Sequence, residues 1–154
     1  MREKAIILER NIQNDLATID DVYAKINIQT VDDADENTLI VLAYRLHSLY
    51  SAFENIFHQI AQTFENQLDD KAGWHAQLLQ RMRLDLMPIR PAVIDRAAYE
   101  GLDELRRFRH LFRSAYGVDL DPQRIQLVLN KALELRAVYP QQIATFLDFL
   151  QTLQ

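Results

Sequence analysis

Seven large apolar residues alternate at spacings of three and four between positions 39 and 60, and this repeat restricts the chain to one class of fold. They are Leu39, Leu42, Leu46, Leu49, Phe53, Ile56 and Ile60. Because helical side chains three and four positions apart lie on one face, the spacing predicts a long helix from about Asn37 to Gln67. Heptad spacing also favours packing against other helices at small crossing angles.

The rest of the chain has the same helical periodicity and few helix breakers, since only 3 Gly and 4 Pro occur in 154 residues. Further helices are predicted over about residues 3–27, 74–87 and 95–117, and from Pro122 to the end. The buried stripe of the first is expected to hold Leu8, Ile12, Leu16, Ile19, Val22 or Tyr23, and Ile26. One short alternation at residues 26–31 would have no partner strand. The sequence therefore predicts an all-α, antiparallel up-and-down bundle of four main helices plus short ones, in one domain of residues 1–154.

Helix ends are marked by a few strong local signals. Asp33 or Asp35 is expected to cap the second helix, because a short carboxylate side chain accepts hydrogen bonds from the first turn. Asp95 and Asp121 are expected to cap the fourth and fifth helices, the latter with Pro122 at its first position. Pro140 is expected to break or kink the last helix, since proline lacks the N–H that an interior position donates.

Charge and composition exclude several classes of function. The chain has no Cys, so disulfides and thiolate chemistry are absent. Its N-terminus is charged and no apolar run approaches the ~18 residues of a membrane span, which predicts a cytoplasmic protein without a membrane segment. The net charge is -5, yet residues 71–113 alone carry 9 basic and 5 acidic side chains. A basic patch is therefore confined to that stretch.

Residues 105–117 form the chemically most distinctive part of that basic stretch. Their spacing predicts the end of a helix, stopped at Gly117, with one apolar and one cationic face. The apolar face holds Leu105, Phe108, Phe112 and Ala115, and the cationic face holds Arg106, Arg109, Arg113 and Tyr116, flanked by His110 and Ser114. The planar fork of arginine matches phosphate and carboxylate. The cationic face is thus predicted to bind a phosphodiester or a neighbouring subunit's carboxylates, with a solvated polar face as the alternative.

This segment resembles the motif of the HEPN superfamily, and more closely that of HepT-like proteins. The motif runs Arg, a polar residue, three variable residues and His, followed in the HepT branch by one residue and Tyr. Arg109, His110 and Tyr116 match it, whereas Ser114 stands at the position of the motif His. Residues 73–82, 90–94 and 120–122 also look like the HepT-like pattern, so the resemblance covers about residues 73–125.

The resemblance implies a metal-independent endoribonuclease whose active site forms across a homodimer, with no cofactor. In that family the Arg stabilises charge on the phosphate, and the His carries a proton during attack by the ribose 2′-hydroxyl. Arg109, His110 and Ser114, which stands where the motif has His, are therefore candidate catalytic residues. Arg106 and Arg113 are candidate phosphate-binding residues. Because a Ser hydroxyl does not titrate near neutral pH, Ser114 predicts weakened activity unless His110 takes over.

A second hypothesis follows from the same resemblance. HepT-like proteins form toxin–antitoxin modules with a minimal nucleotidyltransferase, which can attach AMP to the motif Tyr. Tyr116 occupies that position, so the resemblance implies that the chain is a non-catalytic partner and AMP acceptor if Ser114 has abolished cleavage. A helix-end aromatic that packs on a dimer partner is the alternative for Tyr116.

Metal binding is not predicted, although one pattern invites it. His47, Glu54 and His58 share a stripe of the second helix, but bundle metal sites take ligands from facing helices, and no other helix offers a matching pattern. His75, beside Trp74, is predicted to have a structural role, either as a local hydrogen-bond partner or in contact with the basic face.

Overall fold

The computed structural model describes residues 1–26, 35–65, 72–114 and 120–154, and of residues 113 and 114 it describes the backbone alone. These ranges contain five helices: α1 (Arg2–Ile26), α2 (Glu36–Phe64), α3 (Trp74–Arg81), α4 (Arg96–Ser114) and α5 (Pro122–Thr152). They contain no β-strand, only an isolated bridge between Leu86 and Arg90. The predicted all-α bundle of four long helices and a short one is confirmed.

Helix α2 is the centre of the bundle, because it packs against each of the other four helices. All seven residues of its predicted stripe are buried. In α1, Tyr23 rather than Val22 occupies the fully buried position, and its hydroxyl donates a 2.8 Å hydrogen bond to the carbonyl of Ala132 in α5. The apolar repeat thus places α2 in the core, and one buried phenol joins the first helix to the last.

The predicted aspartate caps are present at three helices. Asp35 accepts a hydrogen bond from the backbone N–H of Thr38, Asp95 from that of Ala98, and Asp121 from that of Gln123. The alternative cap, Asp33, lies outside the described residues. So do the predicted helix ends at residues 27, 67 and 117.

Two sequence-based predictions about helix ends were wrong. Helix α3 was expected to reach residue 87, but it ends at Arg81, because Val93 and Ile94 donate their N–H groups to the Met82 carbonyl and draw the chain into a turn. Helix α5 was expected to break or kink at Pro140, and the break is wrong because the helix continues to Thr152. Tyr139 and Ile143 are buried on either side of the proline, and this packing offsets the loss of one backbone hydrogen bond.

A buried arginine organises the turn between α3 and α4. Arg90 is 0% exposed. Its two terminal nitrogens donate four hydrogen bonds, to the carbonyls of Leu84, Pro91 and Arg81 and to the Glu65 carboxylate. Arg81 also contacts the same Glu65 oxygen, at 2.6 Å. The Arg90 side chain therefore joins three carbonyls in and next to this turn.

Candidate functional site

The face of α4 that carries the arginine motif packs against α2. Ser51 of α2 contacts Arg109 of α4, and His47 of α2 contacts Phe112 of α4. Tyr44 stacks on His47 within α2, and these five residues define what we call the α2–α4 groove. The three α2 residues recur at spacings of three and four, so they share one face of that helix. The predicted site residue Arg109 thus has its neighbours on a helix far away in sequence.

Arg109 is held by one hydrogen bond across the groove. Its Nε donates to the Oγ of Ser51 at 3.0 Å. The two terminal nitrogens of Arg109 have no hydrogen-bond partner, and the guanidinium has no carboxylate partner, among the residues that the structure describes. Because Ser51 is neutral, the positive charge of Arg109 remains available to an anion.

His47 lies one turn before Ser51, on the same face of α2. Its ring centroid is 5.6 Å from that of Phe112 and 6.4 Å from that of Tyr44. The side chain of Tyr44 is well exposed, at 61%. An imidazole and an exposed phenol therefore share the face of α2 that carries Ser51.

The arginines that precede Arg109 have a different environment. Asp103 binds Arg106 at 2.9 Å through one carboxylate oxygen and Arg107 at 3.0 Å through the other. These pairs are three and four residues apart on the same helix, which is the spacing at which helical side chains meet. The predicted cationic face is thus divided, because Arg106 is paired with a carboxylate while Arg109 is bonded to a neutral hydroxyl.

The remaining motif residues are placed less completely. His110 is exposed on α4. Arg113 and Ser114 belong to the last turn of α4, but their side chains lie outside what is described, and Tyr116 and Gly117 lie outside the described residues altogether. The structure therefore brings Arg109 to α2 and leaves the predicted roles of His110, Arg113, Ser114 and Tyr116 as predictions.

A buried tyrosine lies next to the groove in α2. Tyr50 is 1% exposed, and burial raises the pKa of its phenol, with a smaller upward contribution from Glu54 and an opposing one from Arg106 and Arg109. Its hydroxyl therefore stays protonated at neutral pH. Tyr50 is therefore a neutral buried group next to Ser51 in α2, and it adds no charge to the site.

The histidines that were considered as metal ligands are spread over different surroundings. Glu54 accepts a 2.7 Å hydrogen bond from His75 of α3, which is the local hydrogen-bond role predicted for His75. His58 contacts the edge of Trp74, with ring centroids 6.0 Å apart, while His47 faces Phe112. Within residues 1–26, 35–65, 72–114 and 120–154, no group of three His, Cys, Asp or Glu side chains is arranged to hold a metal ion.

Sequence reasoning missed two residues of the site. The spacing of Asp103 to Arg106 and Arg107 is a signal that predicts ion pairs and would have singled out this carboxylate. Ser51 has no such signal, because a serine on a helix is usually a neutral surface residue and this one is 58 positions from Arg109.

Comparison with known proteins gives one result. The model of the HepT-like protein family matches residues 41–150, which is more than two thirds of the chain and includes both sides of the groove. Comparison with the curated proteins and with the solved structures gave no significant match. Among the described residues, no helix is both long and apolar enough to cross a membrane.

Proposed function

The chain belongs to the HepT-like protein family, and from this premise we propose that it is the toxin component of a toxin–antitoxin module and acts as a metal-independent endoribonuclease. Arg109 binds the scissile phosphate in the α2–α4 groove. The single observation that carries this proposal is the state of Arg109, whose guanidinium is held by a neutral hydroxyl at 3.0 Å. A carboxylate binds Arg106 and Arg107 but not Arg109, so of these three described arginines Arg109 is the one suited to an incoming phosphate.

The chemistry follows from the groups in and near the groove. The 2′-hydroxyl oxygen of a ribose attacks the adjacent phosphorus, its proton passes to a base, and the 5′-oxygen leaves with a proton from an acid. The products are a 2′,3′-cyclic phosphate and a 5′-hydroxyl. Arg109 stabilises the negative charge that develops on the phosphate oxygens. Ser114 does not titrate near neutral pH, so His110 carries the proton in this proposal and the rate is low.

A homodimer completes the proposed site. Four apolar side chains near the groove are at least 44% exposed, namely Ile40, Val41, Tyr44 and Leu111. Ile40 and Tyr44, four residues apart, lie on one face of α2, Val41 is next to Ile40 in the chain, and Leu111 adjoins Phe112 in α4. Apolar side chains grouped around a polar site are typical of a surface that a protein partner covers. We propose that a second copy of the chain packs here and contributes a second Arg109.

Cleavage of a mixed RNA pool in EDTA tests the proposed activity. We would compare the wild type with Arg109→Ala, Ser114→His and the matched control Arg107→Ala, which removes the same charge from a residue already paired with Asp103. We expect slow cleavage by the wild type, faster cleavage by Ser114→His and loss of cleavage in Arg109→Ala only. If neither the wild type nor Ser114→His cuts RNA, the nuclease proposal is wrong.

The proton carrier is tested by a pH–rate profile. His110→Gln is expected to remove the pH dependence of cleavage, since His110 is the histidine of the motif segment. His47→Gln is the matched variant on the α2 side of the groove. If His47→Gln removes this dependence and His110→Gln does not, the proton carrier is His47 and the assignment to His110 is wrong.

A second candidate function is favoured by Ser114 in the position of the motif His. In this proposal the chain is a non-catalytic partner of a minimal nucleotidyltransferase. The hydroxyl oxygen of Tyr116 attacks the α-phosphate of ATP, loses its proton and receives AMP, and pyrophosphate leaves. Mass spectrometry after incubation with ATP and such an enzyme would detect one added AMP group, and Tyr116→Phe would prevent it. AMP transfer to the wild type, together with absent cleavage by every variant, would favour this function over the nuclease.

A further inference from the structure

We infer that Ser51 is the positioning residue of the anion site, because it fixes the direction of the Arg109 guanidinium while leaving its charge intact. This inference rests on the proposed function and adds a residue of α2 to it. The evidence is the hydrogen-bond chain from Arg109 Nε to Ser51 Oγ at 3.0 Å and from Ser51 Oγ to the His47 carbonyl at 3.1 Å.

The direction of both hydrogen bonds follows from the groups involved. A serine hydroxyl has one proton to donate and two lone pairs that accept. The His47 carbonyl only accepts and Arg109 Nε only donates, so the Ser51 proton must point to His47 and an Oγ lone pair must face Arg109. The backbone of α2 therefore sets the orientation of the acceptor that Arg109 meets.

The use of Nε determines what is left for a ligand. A guanidinium is planar and presents its two terminal nitrogens as a fork. When Nε is tied to Ser51, this fork is the part that remains to bind two oxygens of a phosphate. A carboxylate at position 51 would hold the arginine equally well but would neutralise it, as Asp103 does for Arg106 and Arg107.

Ser48 provides a matched control on the same helix. Its Oγ donates to the carbonyl of Tyr44 at 3.0 Å, which is the same four-residue back-bond that Ser51 makes. In the part of the chain that the structure describes, no arginine is bonded to Ser48. Replacement of Ser48 therefore measures the general cost of losing such a back-bond in α2, without any effect on Arg109.

The first experiment measures binding of a short, fluorescein-labelled single-stranded RNA by anisotropy. We expect Ser51→Ala to weaken binding by about 3- to 10-fold, which is typical of the net loss of one hydrogen bond. Ser51→Thr keeps the hydroxyl and should bind within about twofold of the wild type, and so should Ser48→Ala. Ser51→Asp should lose binding to the level of Arg109→Ala, because the arginine is then neutralised.

A double-mutant cycle separates positioning from a merely structural role. In the Arg109→Ala background, Ser51→Ala should cause no further loss of RNA binding, because the two residues act as one unit. Hydrogen exchange of the Arg109 Nε–H, followed by nuclear magnetic resonance, should become faster in Ser51→Ala and stay unchanged in Ser48→Ala. Thermal unfolding of each variant confirms that it is folded.

The RNA-binding results distinguish a wrong anion site from a wrong role for Ser51. If Arg109→Ala binds RNA as well as the wild type, the proposed function is wrong and the anion site is wrong with it. If Arg109→Ala weakens binding but Ser51→Ala does not, the positioning role alone is overturned. Additive losses in the double mutant, or equal Nε–H exchange in the wild type and Ser51→Ala, overturn it as well.

Discussion

Arg90 and Arg109 are bonded in opposite ways, and the contrast separates a structural arginine from a proposed functional one. Arg90 is fully buried, and both of its terminal nitrogens donate hydrogen bonds within the protein. Its Nε has no hydrogen-bond partner among the described residues. Arg109 is half-buried, and among the described residues it donates a hydrogen bond only from Nε, to Ser51. A guanidinium whose fork is used internally stabilises the fold, whereas one whose fork is left over is suited to a ligand. Replacement of Arg90 should therefore lower stability, whereas replacement of Arg109 should lower activity.

The largest effect is expected from Arg90→Ala. It leaves the Glu65 carboxylate, which is 7% exposed, without one of its two cations, and it removes the donors that satisfy three turn carbonyls. We expect the free energy of unfolding to fall by about 3–5 kcal/mol, measured by denaturant titration. Arg96→Ala is the control, because Arg96 is 82% exposed and should change stability by about 0.5 kcal/mol at most. A loss equal to that of Arg96→Ala would remove the contrast.

Arg109→Ala should show the reverse pattern. We expect its free energy of unfolding to stay within about 1 kcal/mol of the wild type, since Arg109 makes a single described hydrogen bond. Cleavage by the Ser114→His background should fall about 10²- to 10³-fold, as is typical when one donor to a developing negative charge is lost. Parallel denaturation and cleavage assays check both statements. A large loss of stability would make Arg109 a structural residue like Arg90.

Alkaline pH is expected to lower the free energy of unfolding through a buried tyrosine, while the arginines stay charged. Burial first, and Asp20 second, raise the pKa of Tyr139 from its ordinary 10.0 to about 12. Below pH 10 both the folded and the unfolded chain hold this proton. Between pH 10 and 12 only the unfolded chain releases it, so the free energy of unfolding should fall by about 2–3 kcal/mol from this group. Denaturant titrations of the wild type and Tyr139→Phe should show a smaller fall in the variant, and equal falls would exclude this cause.

The smallest effect is expected from Asp103→Asn, which would make Arg106 and Arg107 resemble Arg109. Both arginines lose their carboxylate partner, so RNA binding should become tighter. Its salt dependence should steepen by about 0.7 in log–log slope for each additional phosphate contact. Glu104→Gln is the control. This substitution removes the same charge, but Glu104 has no ion pair in the described part of the chain. Equal effects of the two variants would show that only net charge matters.

The sequence predicted features that depend on neighbours along the chain. The apolar repeat of α2 and the aspartate caps are local patterns, and the structure contains them. The end of α3 was misjudged because Val93 and Ile94, which lie beyond the predicted helix, donate to the Met82 carbonyl. The break expected at Pro140 was outweighed by burial on both sides. In the site, the arginines of α4 were visible from one helix, but their division by Asp103 and Ser51 depends on which acceptor each side chain reaches.

Gly101 gives the site a mechanical dependence on a distant position. A Cβ at this position would lie 3.4 Å from the Cβ of Leu135 and 3.6 Å from the Lys131 carbonyl in α5. An alanine therefore fits at ordinary contact distance, but any bulkier side chain must push α4 and α5 apart. Arg109 is eight residues further along the same rigid helix, while its acceptor Ser51 belongs to α2. The spacing between α4 and α5, a helix that carries no proposed chemistry, thus affects the direction in which the Arg109 guanidinium points.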